Sequence, residues 1–215
     1  MPLHVVWDWN GTLLDDLRVV VEAVNLSMNR YGVGPIDEDG YRDHFTRPVR
    51  AFYDSLFGRP VSDGEWESLN DRFHVEYFAR AHEASLTEDS VAALDEADER
   101  GWSQSLLSMS PQEWLEQIVA TKGVSDRFRL VDGLRVPTGG LKAQHMVDHI
   151  AALGVDPART VVIGDTPDDA AAARHAGAHV ILYDGGSHHL PHLEDLGAPV
   201  AHSLVQAVEL AALVV

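Results

Sequence analysis

Cysteine is missing altogether from the 215-residue chain, which excludes disulfides, thiolate metal sites and thiol nucleophiles. Lysine is almost as scarce: of 16 basic residues, Lys122 and Lys142 are the lysines and the rest are arginines. Any chemistry that needs an ammonium group therefore has two candidates. Basic charge as a whole is in deficit, 16 residues against 34 acidic, for a formal charge of −18. Nucleic acid and anionic membrane surfaces both demand a basic face, so neither is an expected partner. No run approaches the roughly 20 apolar residues of a membrane span. The apolar stretch from Leu3 to Trp7 is too short for a signal-peptide core and runs straight into Asp8. The expectation is a soluble cytoplasmic protein, with the choice between monomer and dimer left open.

What is present is an ordinary globular composition, 45% hydrophobic and 23% charged, in a chain long enough to build its own core. His4 to Trp7 reads as a short buried strand ending at Asp8-Trp9-Asn10-Gly11-Thr12. Leu13, Leu17, Val20, Val21, Val24 and Met28 then recur at helical spacing, up to Gly32. From there to about Ser85 aromatic and charged residues dominate, again at helical spacing. This predicts a small helical insert with turns at Gly58-Arg59-Pro60 and Ser62-Asp63-Gly64. Its aromatics are expected to form the insert's own core.

After Thr87 helices and strands alternate. Helices are expected at Ser90–Arg100, from Ser110-Pro111 onward with Ser110 as N-cap, at Lys142–Leu153 after Gly139-Gly140, at Asp169–Ala176 and at Leu204–Leu213. Strands are expected at Gln104–Ser108, Thr160–Ile163 and Val180–Tyr183. Strands separated by helices imply an α/β fold with a mostly parallel sheet covered on both faces.

In such a sheet, ligands bind at the carboxyl ends of the strands. Those ends carry Asp8 and Asn10, then Ser108, then Asp165 and Asp169, with Lys142 at a helix start. Carboxylates, a hydroxyl and an ammonium on one edge describe a site for a hard cation such as Mg²⁺ and a phosphate. Lys142 and the metal would neutralise phosphate charge, Ser108 would donate a hydrogen bond, and the Gly11-Thr12 backbone would offer amide donors.

These residues resemble the four ordered motifs of the haloacid dehalogenase superfamily of phosphohydrolases, in its cap-bearing, phosphoglycolate phosphatase-like branch. The motifs are Asp8-Trp9-Asn10-Gly11-Thr12, Ser108 closing an apolar strand, Lys142, and Gly164-Asp165-Thr166-Pro167-Asp168-Asp169. The resemblance implies a three-layer Rossmann-like core of residues 1–14 and 86–215, with a helical cap, residues 15–85, inserted after the first strand. It also implies that Asp8 attacks phosphorus and forms an aspartyl-phosphate. Mg²⁺ would be held by Asp8, the Asn10 carbonyl and Asp165, with Asp169 orienting Lys142 or the metal's outer shell. The substrate would be a small phosphorylated metabolite.

Asn10 departs from the family, whose phosphatases usually carry there a second Asp that acts as general acid and base. Asn cannot transfer a proton, and such transfers are worth about 10²–10⁴-fold in rate. Four readings follow: a slower phosphatase; a leaving group, such as an acyl phosphate, that needs no acid; a proton from a cap residue such as His44 or Asp43; or a site that only binds. A phospholigand-binding or regulatory protein and a phosphotransferase or mutase are therefore the alternatives. Dehalogenase chemistry needs no metal, so Asp165 and Asp169 count against it. A phosphonatase needs a cap lysine, and none lies between Thr12 and Leu86.

Two smaller features complete the reading. Arg47 is the cap residue expected to meet an anionic part of the substrate, whereas Arg50 is expected to face solvent beside Asp43 or Asp54. His188, His189 and His192 follow two glycines, which predicts an irregular surface loop rather than a transition-metal site.

Overall fold

The computed structural model describes residues 3–135 and 142–215. Gly139 and Gly140 lie outside them. Along the chain, β1 (His4–Trp7) and the short β2 (Leu14–Asp15) precede four helices: α1 (Leu17–Met28), α2 (Glu38–His44), α3 (Val49–Phe57) and α4 (Asp63–Arg80). After β3 (Ser85–Leu86) come α5 (Ser90–Glu99), β4 (Ser103–Pro111), α6 (Gln112–Thr121), β5 (Val131–Leu134) and α7 (Lys142–Leu153). The chain closes with β6 (Thr160–Gly164), α8 (Pro167–Ala176), β7 (His179–Tyr183), α9 (Leu190–Glu194), β8 (Val200–Ala201) and α10 (Leu204–Val214). Two compact units result, one of Met1–Leu14 with Leu86–Val215 and the other of Asp15–Ser85.

The first unit is an α/β, Rossmann-like fold. Its six strands lie in the order β5-β4-β1-β6-β7-β8, and every pairing is parallel. A parallel strand buried on both faces is mostly apolar, and Val5, Val6 and Trp7 are fully buried, with His4 as the buried polar residue of β1. On one side Val6, Leu107 and Val162 pack with Met146 and Ile150 of α7 and Ala170, Ala172 and Ala173 of α8. From β1 the chain steps to β4 and β5 on one side and returns to β6 on the other. That reversal is a topological switch point, where a crevice opens beyond the carboxyl ends of the strands.

Helices make up the second unit. Leu17, Val21, Val24 and Met28 on one stripe of α1 bury against Tyr41, Phe52, Tyr53, Val61 and Leu69. Tyr41 stacks on Phe45 with ring centroids 4.8 Å apart and meets Phe52 edge-on at 5.2 Å. The insert's aromatics thus build its core, each buried ring contributing about 2–3 kcal/mol.

Several local expectations are corrected. The run starting at Leu13 is not helical at first, because Leu14 and Asp15 pair with β3 as a small ribbon and α1 begins at Leu17. Ser62-Asp63-Gly64 is a helix start rather than a turn. Ser62 Oγ accepts from the Glu65 amide at 3.3 Å and Glu65 Oε2 accepts from the Ser62 amide at 2.8 Å, a reciprocal capping box. Arg50 pairs with Asp63 at 2.8 Å instead of Asp43 or Asp54. Ser110 caps nothing, since β4 runs on to Pro111 and its hydroxyl is engaged elsewhere.

Candidate active site

β1 ends one residue before Asp8, whose amide donates to the Ile163 carbonyl of β6 at 2.9 Å. The first motif is therefore tied to the neighbouring strand at the switch point. Gly11 holds a left-handed φ of 74°. A Cβ there would fall 2.6 Å from Asp165 Oδ2, so both the turn and the close approach require glycine. The Gly11 and Thr12 amides, expected to face phosphate oxygens, donate instead to the Leu14 and Trp9 carbonyls at 2.9 and 3.3 Å. The Thr12 hydroxyl turns the other way and donates to Asp165 Oδ1 at 3.1 Å.

Lys142, at the first turn of α7, is 3% exposed and reaches two carboxylates. Its ammonium donates to Asp8 Oδ1 and, at 2.6 Å, to Asp169 Oδ1. Asp169 is itself locked by the start of α8. Its Oδ2 accepts from the Thr166 amide and hydroxyl at 3.0 and 2.6 Å, while its own amide donates to Thr166 Oγ1. Asp168 accepts from the Lys142 backbone amide at 3.3 Å, which ties the start of α7 to that of α8.

Electrostatics follow from this enclosure. One oxygen each from Asp8, Asp165 and Asp169 lies within 4.8 Å of the others, and all three residues are buried. Three carboxylates face one ammonium, so full ionisation leaves two negative charges out of water. Burial pushes the Asp8 carboxyl up strongly; Lys142 opposes this, and the charges of Asp169 and Asp165 add to it. Burial and the Asp169 charge likewise raise Asp165, against its bonds from Ser187 and Thr12. Burial works against the Lys142 ammonium too, but Asp169 and Asp8 more than compensate and hold it charged. A set of buried oxygens short of two positive charges fits a hard divalent cation such as Mg²⁺.

Ser108 is buried at the carboxyl end of β4, and its hydroxyl donates to Asn10 Oδ1 at 3.3 Å. Ser110 donates to the same oxygen at 2.9 Å. The structure thus brings Asp8, Asn10, Gly11, Thr12, Ser108, Lys142, Asp165 and Asp169 together. Arg47 belongs to the second unit, half-buried between α2 and α3. In that unit His44 is hydrogen-bonded to Ser55 at 2.7 Å.

Three residues at the site were not foreseen: Thr166, Ser110 and Ser187. Thr166 carried a signal, because Thr-x-x-Asp before an apolar run is a capping-box pattern. Ser187, two bonds from Asp165 in the loop after β7, carried none. The expected surface loop there is also corrected. His188 is buried, and burial together with His192 lowers its ring to about 4, against opposing effects from Asp169 and the Asp165 backbone. His192 falls in α9.

The pattern of the haloacid dehalogenase-like hydrolases matches residues 3–177. The chain belongs to that family. It is 28% identical over 207 residues to a phosphoglycolate phosphatase of Caulobacter vibrioides, covering 94% of this chain and 87% of that protein. It is likewise 28% identical over 175 residues to an N-acetylmuramic acid 6-phosphate phosphatase of Pseudomonas aeruginosa, covering 80% and 77%. A haloacid dehalogenase-like hydrolase from Streptococcus pneumoniae superposes with a TM-score of 0.83 at 18% identity, covering 97% of this chain and 98% of that one. Among the described residues of this hydrolase, no helix is long and apolar enough to cross a membrane.

Proposed function

We propose that this hydrolase is a Mg²⁺-dependent phosphatase that passes the phosphoryl group of a small phosphorylated metabolite through an aspartyl-phosphate on Asp8. The observation that carries the reading is the buried Lys142 ammonium held between Asp8 and Asp169, beside Asp165. The relatives named above act on phosphoglycolate and N-acetylmuramic acid 6-phosphate, both phosphorylated acids. A phosphate monoester bearing a carboxylate is accordingly the substrate class to test first.

Asp8, Asp165, Asp169 and the Asn10 carbonyl would hold the metal, which when bound neutralises charge on the phosphoryl oxygens. Lys142 holds one Asp8 oxygen in place, leaving the other to attack phosphorus. The Asp8 oxygen–phosphorus bond forms as the ester oxygen–phosphorus bond breaks, and water later cleaves the acyl phosphate. Ser108 and Lys142 offer donors to the phosphoryl oxygens. Asn10 supplies no proton to the leaving oxygen, so turnover is fastest for leaving groups that need none. The test is phosphate release from acyl phosphates and alkyl monoesters side by side, with and without Mg²⁺, for wild type and Asp8→Asn. Release that requires both Mg²⁺ and Asp8 supports the reading; release unchanged in Asp8→Asn refutes it.

A second reading, a phospholigand-binding or regulatory protein with little turnover, is favoured by Asn10, whose side-chain oxygen is held by Ser108 and Ser110. It holds if wild type and Asn10→Asp are both inactive across the panel while a phosphorylated acid still raises the melting temperature.

A further inference from the structure

We propose that Ser187 is a positioning residue for Asp165, fixing which carboxylate oxygen is left for a cation; this rests on reading the cluster as a cation and phosphoryl site. Asp165 is fully buried, so each of its oxygens needs partners supplied by the protein or a ligand. Ser187 gives Oδ2 two donors, its amide at 2.8 Å and its hydroxyl at 2.5 Å. A carboxylate oxygen has two lone pairs, and both on Oδ2 are thereby taken. Oδ1 accepts from the Thr12 hydroxyl at 3.1 Å and keeps its second lone pair. Asp165 is thus presented as a one-oxygen ligand, its plane set from both sides.

The loop that does this is built for close approach. A Cβ on Gly186 would lie 2.5 Å from both the Asp165 Cβ and the Gly11 carbonyl oxygen. Any larger residue there would force the loop away and withdraw Ser187 from Oδ2. The Gly185-Gly186-Ser187 run therefore serves as a clamp on one carboxylate. Partners in the shell around a metal ligand typically change metal affinity about 10–100-fold when removed.

Calorimetric titration of the full chain with MgCl₂ alone tests the assignment without reference to turnover. Ser187→Ala is expected to weaken Mg²⁺ binding about 10–100-fold, Gly186→Ala to do the same by displacing the loop, and Ser187→Thr to recover most of the affinity. Melting in EDTA, run in parallel, separates a folding defect from a loss of metal affinity. If Ser187→Ala and Gly186→Ala both bind Mg²⁺ like wild type, or if Ser187→Thr is as weak as Ser187→Ala, the positioning role is wrong. If wild type takes up no Mg²⁺ at all, the cation-site reading itself falls, and this proposal with it.

Discussion

Two buried polar networks sit in the same six-stranded unit, and they are satisfied in opposite ways. One joins Lys142 to Asp8 and Asp169 at the carboxyl ends of the strands, with Asp165 alongside. The other starts from His4 on β1. Its ring nitrogens share hydrogen bonds with Ser103 and Ser105, each at 2.8 Å. Ser105 continues to His149 Nε2 at 2.8 Å, and His149 Nδ1 to Asp132 at 2.9 Å, where His145 also ends at 3.2 Å. Hydroxyl, imidazole and carboxylate follow in the order of a nucleophilic triad, but Ser105 and His149 are 0% exposed, so no substrate reaches them.

The difference lies in charge, not in burial or hydrogen-bond count. The His4 network sets one carboxylate, Asp132, against the His145 and His149 rings, and leaves the buried His145 Nδ1 without a hydrogen-bond partner. Burial works to raise Asp132, yet hydrogen bonds from His145 and His149 override it and hold that carboxyl below the usual carboxylate range. In the Asp8 cluster three carboxylates share one ammonium, and burial pushes the Asp8 carboxyl up, so that it holds a proton more readily than an ordinary carboxylate. A buried carboxylate matched by hydrogen-bond donors serves the architecture; three carboxylates around one ammonium make a candidate ligand site.

Perturbations that touch the imbalance should have the largest effects. Lys142→Met removes the one cation from three buried carboxylates and should lower stability by about 3–5 kcal/mol in EDTA. It should also lower phosphate release by about 10²–10³-fold. Urea unfolding and a phosphate assay on the same preparation check both. Asn10→Asp should raise turnover of alkyl monoesters by about 10²–10⁴-fold and leave acyl phosphates nearly unchanged, since only the former need a proton donor. Steady-state kinetics on the two substrate classes read that ratio.

The His4 network should respond to pH. Burial, with His149 and Arg129 nearby, lowers the His4 imidazole from 6.5 to about 4. Its folded form is neutral, so the unfolded chain takes up the extra proton as pH falls. His4 thus contributes stability that is intact above pH 6.5 and lost between there and about 4, amounting to about 3 kcal/mol. His4→Gln should flatten that part of the stability profile, measured by denaturant unfolding across the window, without altering Mg²⁺ binding. Smallest of all, Ser103→Ala should cost about 1 kcal/mol in the same assay, because it removes one hydrogen bond at a partly exposed edge.

The sequence made the site's charged members legible because each sits at a strand end or a helix start, where periodicity breaks and an isolated polar residue stands out. Asp8, Ser108, Lys142 and Asp165 were visible in that way, as were β1, β6 and β7. β5 was not, because Val131-Asp132-Gly133-Leu134 is a four-residue edge strand with Asp and Gly in its middle. The Ser110-Pro111 pair read as a helix cap by local chemistry, but tertiary structure gave the hydroxyl to Asn10 instead. Ser187 was hidden for a different reason. Its role depends on a loop 22 residues away in sequence folding back onto Asp165, and no spacing rule carries that information. Histidines beside it drew attention by type, whereas the serine acts by placement.

The central claim is that the Asp8–Asp165–Asp169 cluster lacks positive charge that a divalent cation supplies. Thermal melting of wild type and Asp165→Asn in EDTA and in saturating Mg²⁺ tests it most directly. The account predicts that Mg²⁺ stabilises wild type, by about 2.7 kcal/mol at a hundredfold excess over its Kd, and that Asp165→Asn loses most of this gain. Identical melting of wild type with and without Mg²⁺ would contradict it.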